Sequence, residues 1–227
     1  MTNKEDFYEK NNSSIFDPKG TNWIDDIEIL LNDKHFVKHY QDNFFSLYAS
    51  GYKDSANILC EHIIEKKRTL NRSGIVYPII YLYRHYLELQ LKNLILLSNK
   101  AILLINNNSF DDSYKKIILS HNLIDLYDLC LKNLKNLSEE IGEEESLINE
   151  NEDFSMLKNI IKEFDKHDKL SEAFRYPVDK KNNFNLQKIN NINIKKIYDM
   201  INEGTKILDG AEGWLDHQIS EISKNHS

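Results

Sequence analysis

The sequence predicts an all-α protein, an antiparallel helical bundle with a small irregular or hairpin insertion near residues 176–188. Three observations lead to this prediction. The 227-residue chain has only seven glycines and three prolines, which favours helices over a turn-rich β fold. Apolar residues recur at intervals of three and four residues, which is helical spacing. Finally, one stretch, Tyr77–Ile95, is apolar around most of a helical circumference, as expected of a helix that lies in a core.

Length and charge limit the possible organisation and partners. A chain of 227 residues suits one sizeable domain, here residues 22–223 after a flexible polar lead-in over residues 1–21. The net charge of −7 argues against broad coating of nucleic acid but leaves room for a local basic pocket. No apolar run reaches the roughly 18 residues needed to span a membrane, and the N-terminus has no hydrophobic signal core. We therefore expect a cytoplasmic protein without membrane contact.

The helices can be placed along the chain from their apolar stripes and end signals. Pro78 suits a first helical turn, because its missing N–H costs nothing there, and Ser120 is a good N-cap. Three glycines weaken the closing helix and make a kink or break plausible: Gly204, Gly210 and Gly213. An acidic, exposed connection is predicted over residues 138–153. The predicted helices cover Phe44 to about Thr69, Pro78 to about Ser98, His121 to about Leu137, Phe154 to His167, and Asn193 to about Ser223.

Four polar residues share one side of the predicted central helix. Arg84, His85, Glu88 and Lys92 fall within roughly 100° of arc on a helical wheel. Charged groups on a core helix must be paired or must face a cleft, because an unpaired buried charge is very costly. The four residues are therefore either a structural ion network or the wall of a site. The sequence leaves both alternatives open.

Arginine and histidine provide the remaining candidate chemistry. The chain has only four arginines, and two of them, Arg84 and Arg175, occur among apolar residues where a guanidinium could grip phosphate with paired hydrogen bonds. Tyr176 follows the second of these. His121, at the predicted start of the third long helix, is a second candidate for proton transfer beside His85. No phosphate loop, zinc motif, nucleophile elbow or Cys-x-x-Cys is present, so we expect no metal and no cofactor.

Three short blocks resemble bacterial proteins of the HEPN type, named for higher-eukaryote and prokaryote nucleotide-binding domains. The blocks are YPIIYLYRHYLELQLK at residues 77–92, SHNLIDL at 120–126 and SEAFRYP at 171–177. The resemblance extends over roughly residues 44–220. It implies an all-α bundle of four or five helices, usually a homodimer. Members often serve in anti-phage, abortive-infection or toxin–antitoxin systems, and many are metal-independent ribonucleases.

One departure from the HEPN pattern affects the expected activity. Active members carry an Arg, then four to six residues, then a His, and none of the four arginines here has a His at that spacing. The ribonuclease residues are therefore not carried over. Adjacent Arg84 and His85 could serve a related purpose across a dimer interface, with His as general base on a ribose 2′-hydroxyl and Arg stabilising the phosphorane charge.

These observations lead to two expectations about function. The first is a HEPN-like protein of host–phage conflict that binds a nucleotide or RNA phosphate in a polar cleft on the central helix and possesses metal-independent ribonuclease activity. Its catalytic candidates are His85, His121 and Glu88, and its phosphate-binding candidates are Arg84, Lys92, Arg175 and Tyr176. The alternative is a dimeric interaction module without enzymatic activity, which binds a defence or phage protein and uses the same residues as a structural network.

Overall fold

The computed structural model describes residues 44–65, 72–106, 119–143, 152–187 and 189–225. These residues form five helices: α1 (Phe44–Glu65), α2 (Arg72–Asn106), α3 (Leu123–Glu140), α4 (Glu152–His167) and α5 (Ile194–Asn225). No strand is assigned within the described ranges, so the all-α fold class is confirmed. The predicted lead-in over residues 1–21 and the start of the predicted domain, residues 22–43, lie outside the described residues.

Helix α2 is the centre of the fold. It packs against α1, α3 and α5, while α4 contacts α3 and α5. Its apolar residues are almost completely enclosed, including Ile79, Leu87 and Leu91, each of which is 0% exposed. This arrangement confirms that the stretch around Tyr77–Ile95 is a core helix. Cys60 and Cys130 are both buried and are not bonded to each other.

Helix α2 is longer at both ends than the sequence predicted. It begins at Arg72, so Pro78 lies inside it rather than in its first turn. A proline there removes one hydrogen bond, to the carbonyl of Gly74. Gly74 and Pro78 are both exposed, so water can take over that carbonyl. At the other end the helix continues past its predicted end near Ser98 to Asn106, because Ala101 is fully buried and extends the packed face.

The start of α3 also differs from the prediction. Asn122, not Ser120, is the N-cap: its side-chain oxygen accepts hydrogen bonds from the N–H groups of Ile124 (3.0 Å) and Asp125 (3.2 Å). His121 therefore precedes the helix instead of opening it. Because it stands outside the helical hydrogen-bond ladder, its carbonyl is free to accept a bond from elsewhere in the fold.

The closing helix α5 is continuous from Ile194 to Asn225, so the break considered at its glycines is not present. Gly204 has a packing reason: a Cβ there would lie 3.1 Å from the Ile160 side chain of α4. Between α4 and α5 the chain is irregular and contains one antiparallel bridge, Val178 to Phe184. This bridge matches the small irregular or hairpin insertion predicted near residues 176–188.

Candidate functional site

Arg84 is the most deeply buried cation of the predicted set. Its side chain is 0% exposed and makes three hydrogen bonds to three parts of the fold. Nη1 donates to Glu88 Oε2 (2.9 Å) on the next turn of α2. Nη2 donates to the free backbone carbonyl of His121 (2.6 Å), and Nε donates to the carbonyl of Asp168 (2.9 Å) directly after α4. Arg84 therefore joins α2 to the ends of two other helices.

Glu88 is the anionic centre of the network. Its carboxylate is 1% exposed, and it accepts bonds from Arg84 through Oε2 and from Lys92 Nζ through Oε1 (2.8 Å). The same Oε1 lies 2.8 Å from His121 Nδ1. Burial alone would raise the pKa of Glu88, but Lys92 and then His121 bond to the carboxylate and hold that pKa below its ordinary value. Glu88 is therefore an anion at neutral pH.

Asp168 completes the enclosure of Arg84 and was not singled out from the sequence. Its Oδ1 accepts hydrogen bonds from the N–H groups of Glu172 (2.7 Å) and Ala173 (2.9 Å), which shapes the turn after α4. Its Oδ2 lies 3.4 Å from Arg84 Nε but accepts no hydrogen bond from the described residues, because the Nε proton points to the Asp168 carbonyl. The side chains of Arg84 and Asp168 thus form an ion pair without a hydrogen bond between them.

His121 differs from the rest of the network because it reaches the surface. Its side chain is 55% exposed, while its Nδ1 contacts the buried carboxylate of Glu88. A carboxylate on Nδ1 favours the tautomer with the proton on that nitrogen, and Nε2 is then left as an unprotonated acceptor. No hydrogen bond to Nε2 is formed by the described residues. This combination of an oriented ring and a free basic nitrogen is what a general base requires.

His85 lies one turn before Glu88 and is half-buried among aromatic rings. The ring of Tyr52 meets it edge-on at 4.4 Å between centroids, and the ring of Tyr81 stacks on it at 5.7 Å with an interplanar angle of 10°. Burial lowers the pKa of His85; the charge of Glu88 opposes this shift, and nearby cations reinforce it. The imidazole is therefore neutral at neutral pH and offers a ring face and an acceptor rather than a charge.

Arg175 and Tyr176 extend this surface away from the network. The guanidinium carbon of Arg175 lies 5.6 Å from the Tyr81 ring centroid and 5.5 Å from that of Tyr176, which places a cation against two aromatic faces. Its Nε donates to the carbonyl of Ser171, and this hydrogen bond helps to orient the guanidinium group. Both Arg175 and Tyr176 are exposed. Arg175 is thus an accessible, oriented cation.

The predicted site residues separate into two groups. Arg84 is enclosed, so a phosphate cannot reach it in this structure, and Lys92 is 4% exposed with its ammonium on Glu88. Both are better placed to position Glu88 than to hold a ligand directly. The second group is partly or fully exposed, and we call it the candidate face. It combines residues that sequence reasoning selected with one that it missed: His85, His121, Arg175, Tyr176 and Tyr81. The signal for Tyr81 is its spacing of four residues from His85, which puts both rings on one side of α2.

No three His, Cys, Asp or Glu side chains within the described ranges are arranged to hold a metal ion. Among the helices described, none combines the length and the apolar character needed to cross a bilayer. Comparison of the chain with protein-family models, curated proteins and solved structures gives no match. The assignment of function therefore depends on the geometry of the site and on the resemblance carried by the three sequence blocks.

Proposed function

We propose that the protein binds RNA at the candidate face and cleaves it without a metal ion. The observation that supports this most strongly is the pairing of His121 with Glu88. An exposed imidazole is fixed through Nδ1 by a carboxylate that is itself buried and held anionic. Such a pair sets the ring orientation, directs Nε2 away from the carboxylate and stabilises the imidazolium after proton transfer.

The chemistry follows from the position of each group. His121 Nε2 accepts the proton of a ribose 2′-hydroxyl, and the 2′-oxygen forms a bond to the adjacent phosphorus. The bond from phosphorus to the 5′-oxygen breaks, the leaving 5′-oxygen takes a proton from water, and His121 later returns its proton to the solvent. We assign to Arg175, as the exposed cation of the candidate face, the stabilisation of the negative charge that develops on the phosphorane. The products are a 2′,3′-cyclic phosphate and a 5′-hydroxyl.

The sequence resemblance supports the choice of RNA as substrate. The three HEPN-like blocks meet in space: Arg84 of the first bonds the carbonyl of His121 in the second, and Arg175 of the third lies over Tyr81 of the first. We include in the proposal the context that the resemblance implies, a homodimeric protein of host–phage conflict. The net charge of −7 agrees with contact at a few local cations rather than along an extended surface.

Cleavage of a labelled single-stranded RNA in excess EDTA tests the proposal. We expect His121→Ala to slow cleavage by about 10²- to 10⁴-fold, the usual contribution of a general base. Because His121 is more than half exposed, this variant should keep its fold, which circular dichroism can verify. His217→Ala is the matched control, since His217 is an exposed histidine on α5. An equal rate for His121→Ala and wild type would contradict the assignment.

The complete enclosure of Arg84 favours the second candidate function, a dimeric interaction module. In this alternative the network only fixes how α2 meets α3 and α4, and the protein binds a defence or phage protein instead of RNA. The same assay separates the two functions. A folded wild type that leaves RNA intact supports the interaction module, whereas cleavage that depends on His121 excludes it as the sole role.

A further inference from the structure

A pocket of about 320 Å³ opens beside the candidate face, between the N-terminal part of α2 and the loop that follows α4. We call it the aromatic pocket. Three of its side chains are large, apolar and exposed: Tyr77 (45%), Tyr176 (55%) and Phe184 (69%). Exposed apolar side chains that line one pocket, rather than being scattered singly, mark a candidate ligand-binding site. The lining residues are Tyr77, Ala173, Phe174, Arg175, Tyr176, Pro177, Phe184, Asn185 and Leu186.

The loop that forms one wall of the aromatic pocket is held by its own hydrogen bonds. Asp179 accepts bonds through Oδ1 from the N–H groups of Lys181 (2.8 Å) and Asn183 (2.8 Å), which closes the turn between Val178 and Phe184. The N–H of Asn185 donates to the Pro177 carbonyl (2.9 Å), and the Asn185 amide donates to the Tyr176 carbonyl (2.8 Å). The pocket is therefore formed before any ligand arrives, which reduces the entropy cost of binding.

The charge and shape of the aromatic pocket restrict its ligand. Arg175 is the one charged residue among its lining residues, and no carboxylate is present there, so the lining suits a ligand that carries negative charge. Flat aromatic side chains favour a flat ring system over an alkyl chain, because stacking adds to burial. The volume is at the lower end of small-molecule sites and is too small for a helix or strand. A planar base attached to a phosphate meets all three conditions.

We propose that the aromatic pocket binds one unpaired nucleobase of the RNA against both Tyr176 and Phe184, while Arg175 contacts the phosphate of the same nucleotide. This inference rests on the proposed function and adds to it a site of substrate recognition. Arg175 lies at the junction, since it lines the pocket and also stacks on Tyr81, the neighbour of His85. Recognition of a splayed-out base selects single-stranded over double-stranded RNA.

Binding must be measured apart from cleavage, which 2′-O-methyl RNA allows because it lacks the attacking hydroxyl. The probe is a fluorescent 2′-O-methyl hexanucleotide, and the readout is anisotropy at low salt. We expect Phe184→Ala and Tyr176→Ala each to weaken binding about 5- to 100-fold, the usual effect of losing one base–aromatic stack. Tyr48→Ala is the matched control, because Tyr48 is 50% exposed on α1 and does not line the pocket. It should bind like wild type.

A set of hexanucleotides, each with one abasic position, identifies the base that the pocket holds. For wild type, one abasic position should weaken binding by the same factor as Phe184→Ala does with the intact hexanucleotide. Combining that abasic hexanucleotide with Phe184→Ala should weaken binding no further than either change alone. Unchanged binding by both pocket variants would overturn the pocket assignment while leaving cleavage by His121 untouched. Failure of wild type to bind the hexanucleotide would overturn the pocket and the proposed function together.

Discussion

Replacing Arg84 by Met tests whether the buried network holds the fold together. The substitution keeps an unbranched apolar side chain in the site but removes every donor. Three acceptors then each lose one bond: the Glu88 carboxylate and the backbone carbonyls of His121 and Asp168. Glu88 keeps its contacts with Lys92 and His121, and the Asp168 carbonyl keeps the N–H of Ser171 (3.4 Å), so only the His121 carbonyl is left with no donor among the described residues. Because Arg84 is 0% exposed, water cannot replace the lost bonds without rearrangement.

The size of the effect can be worked out from these contacts. Breaking a buried ion pair by removing one partner costs about 3–5 kcal/mol. The orphaned His121 carbonyl adds about 1–3 kcal/mol, although the partly exposed position of His121 lets water recover some of that. We therefore expect Arg84→Met to lower the free energy of unfolding by at least about 3 kcal/mol. With a urea m-value of about 2 kcal/mol/M, the midpoint falls by at least about 1.5 M.

The assay is urea unfolding at pH 7 followed by circular dichroism. Arg175→Met is the matched control, because Arg175 is an exposed arginine whose loss should change stability by no more than about 1 kcal/mol. A loss below about 1 kcal/mol for Arg84→Met would refute the reasoning, since it would mean that the enclosed guanidinium contributes no more than a surface one.

Three further predictions concern packing and protonation. Gly210→Ala should stabilise the protein by about 0.5–1 kcal/mol, because a Cβ there meets no other atom and alanine favours the helix. Gly204→Ala should stabilise it clearly less, because the new Cβ would lie 3.1 Å from Ile160. Equal gains in stability by thermal unfolding would contradict this close approach. The lowered pKa of Glu88 contributes stability that is present above its ordinary pKa of 4.5 and is lost as the pH falls through the lower folded value. The difference in unfolding free energy between wild type and Glu88→Gln should therefore narrow below pH 4.5. A difference that stays constant with pH would contradict this prediction. The His85 imidazole should titrate below pH 6.5 by NMR, because burial lowers its pKa. Its contribution to stability should therefore be lost as the pH falls from 6.5 through the lower folded pKa. A titration midpoint at or above 6.5 would mean that the charge of Glu88 outweighs burial.

Local patterns in the sequence were sufficient to find the central helix and its polar arc. Apolar residues around the circumference of Tyr77–Ile95 require burial, and the four-residue spacing of Arg84, Glu88 and Lys92 puts their charges on one side of the helix. The structure confirms that Glu88 bonds both cations. These features follow from helix geometry, so no knowledge of the rest of the fold was needed.

Long-range partners could not be predicted in the same way. Arg84 bonds a carbonyl 37 residues away and another 84 residues away, and backbone carbonyls have no sequence signature. Asp168 was missed because an acidic residue after a helix is common and its contact with Arg84 depends on tertiary packing. The C-terminal end of α2 was misplaced for a related reason: burial of Ala101 in the core extends the helix beyond its predicted end near Ser98.

The central claim is that His121 activates a ribose hydroxyl, and the products of RNA cleavage test it most directly. Wild type and His121→Ala would each be incubated in EDTA with an all-ribose oligonucleotide and with its 2′-O-methyl counterpart, and the fragments identified by mass. We expect wild type to leave 2′,3′-cyclic phosphate and 5′-hydroxyl ends on the ribose substrate alone, and His121→Ala to form these products about 10²- to 10⁴-fold more slowly. Cleavage of the 2′-O-methyl strand, or an intact ribose strand with wild type, would contradict the claim.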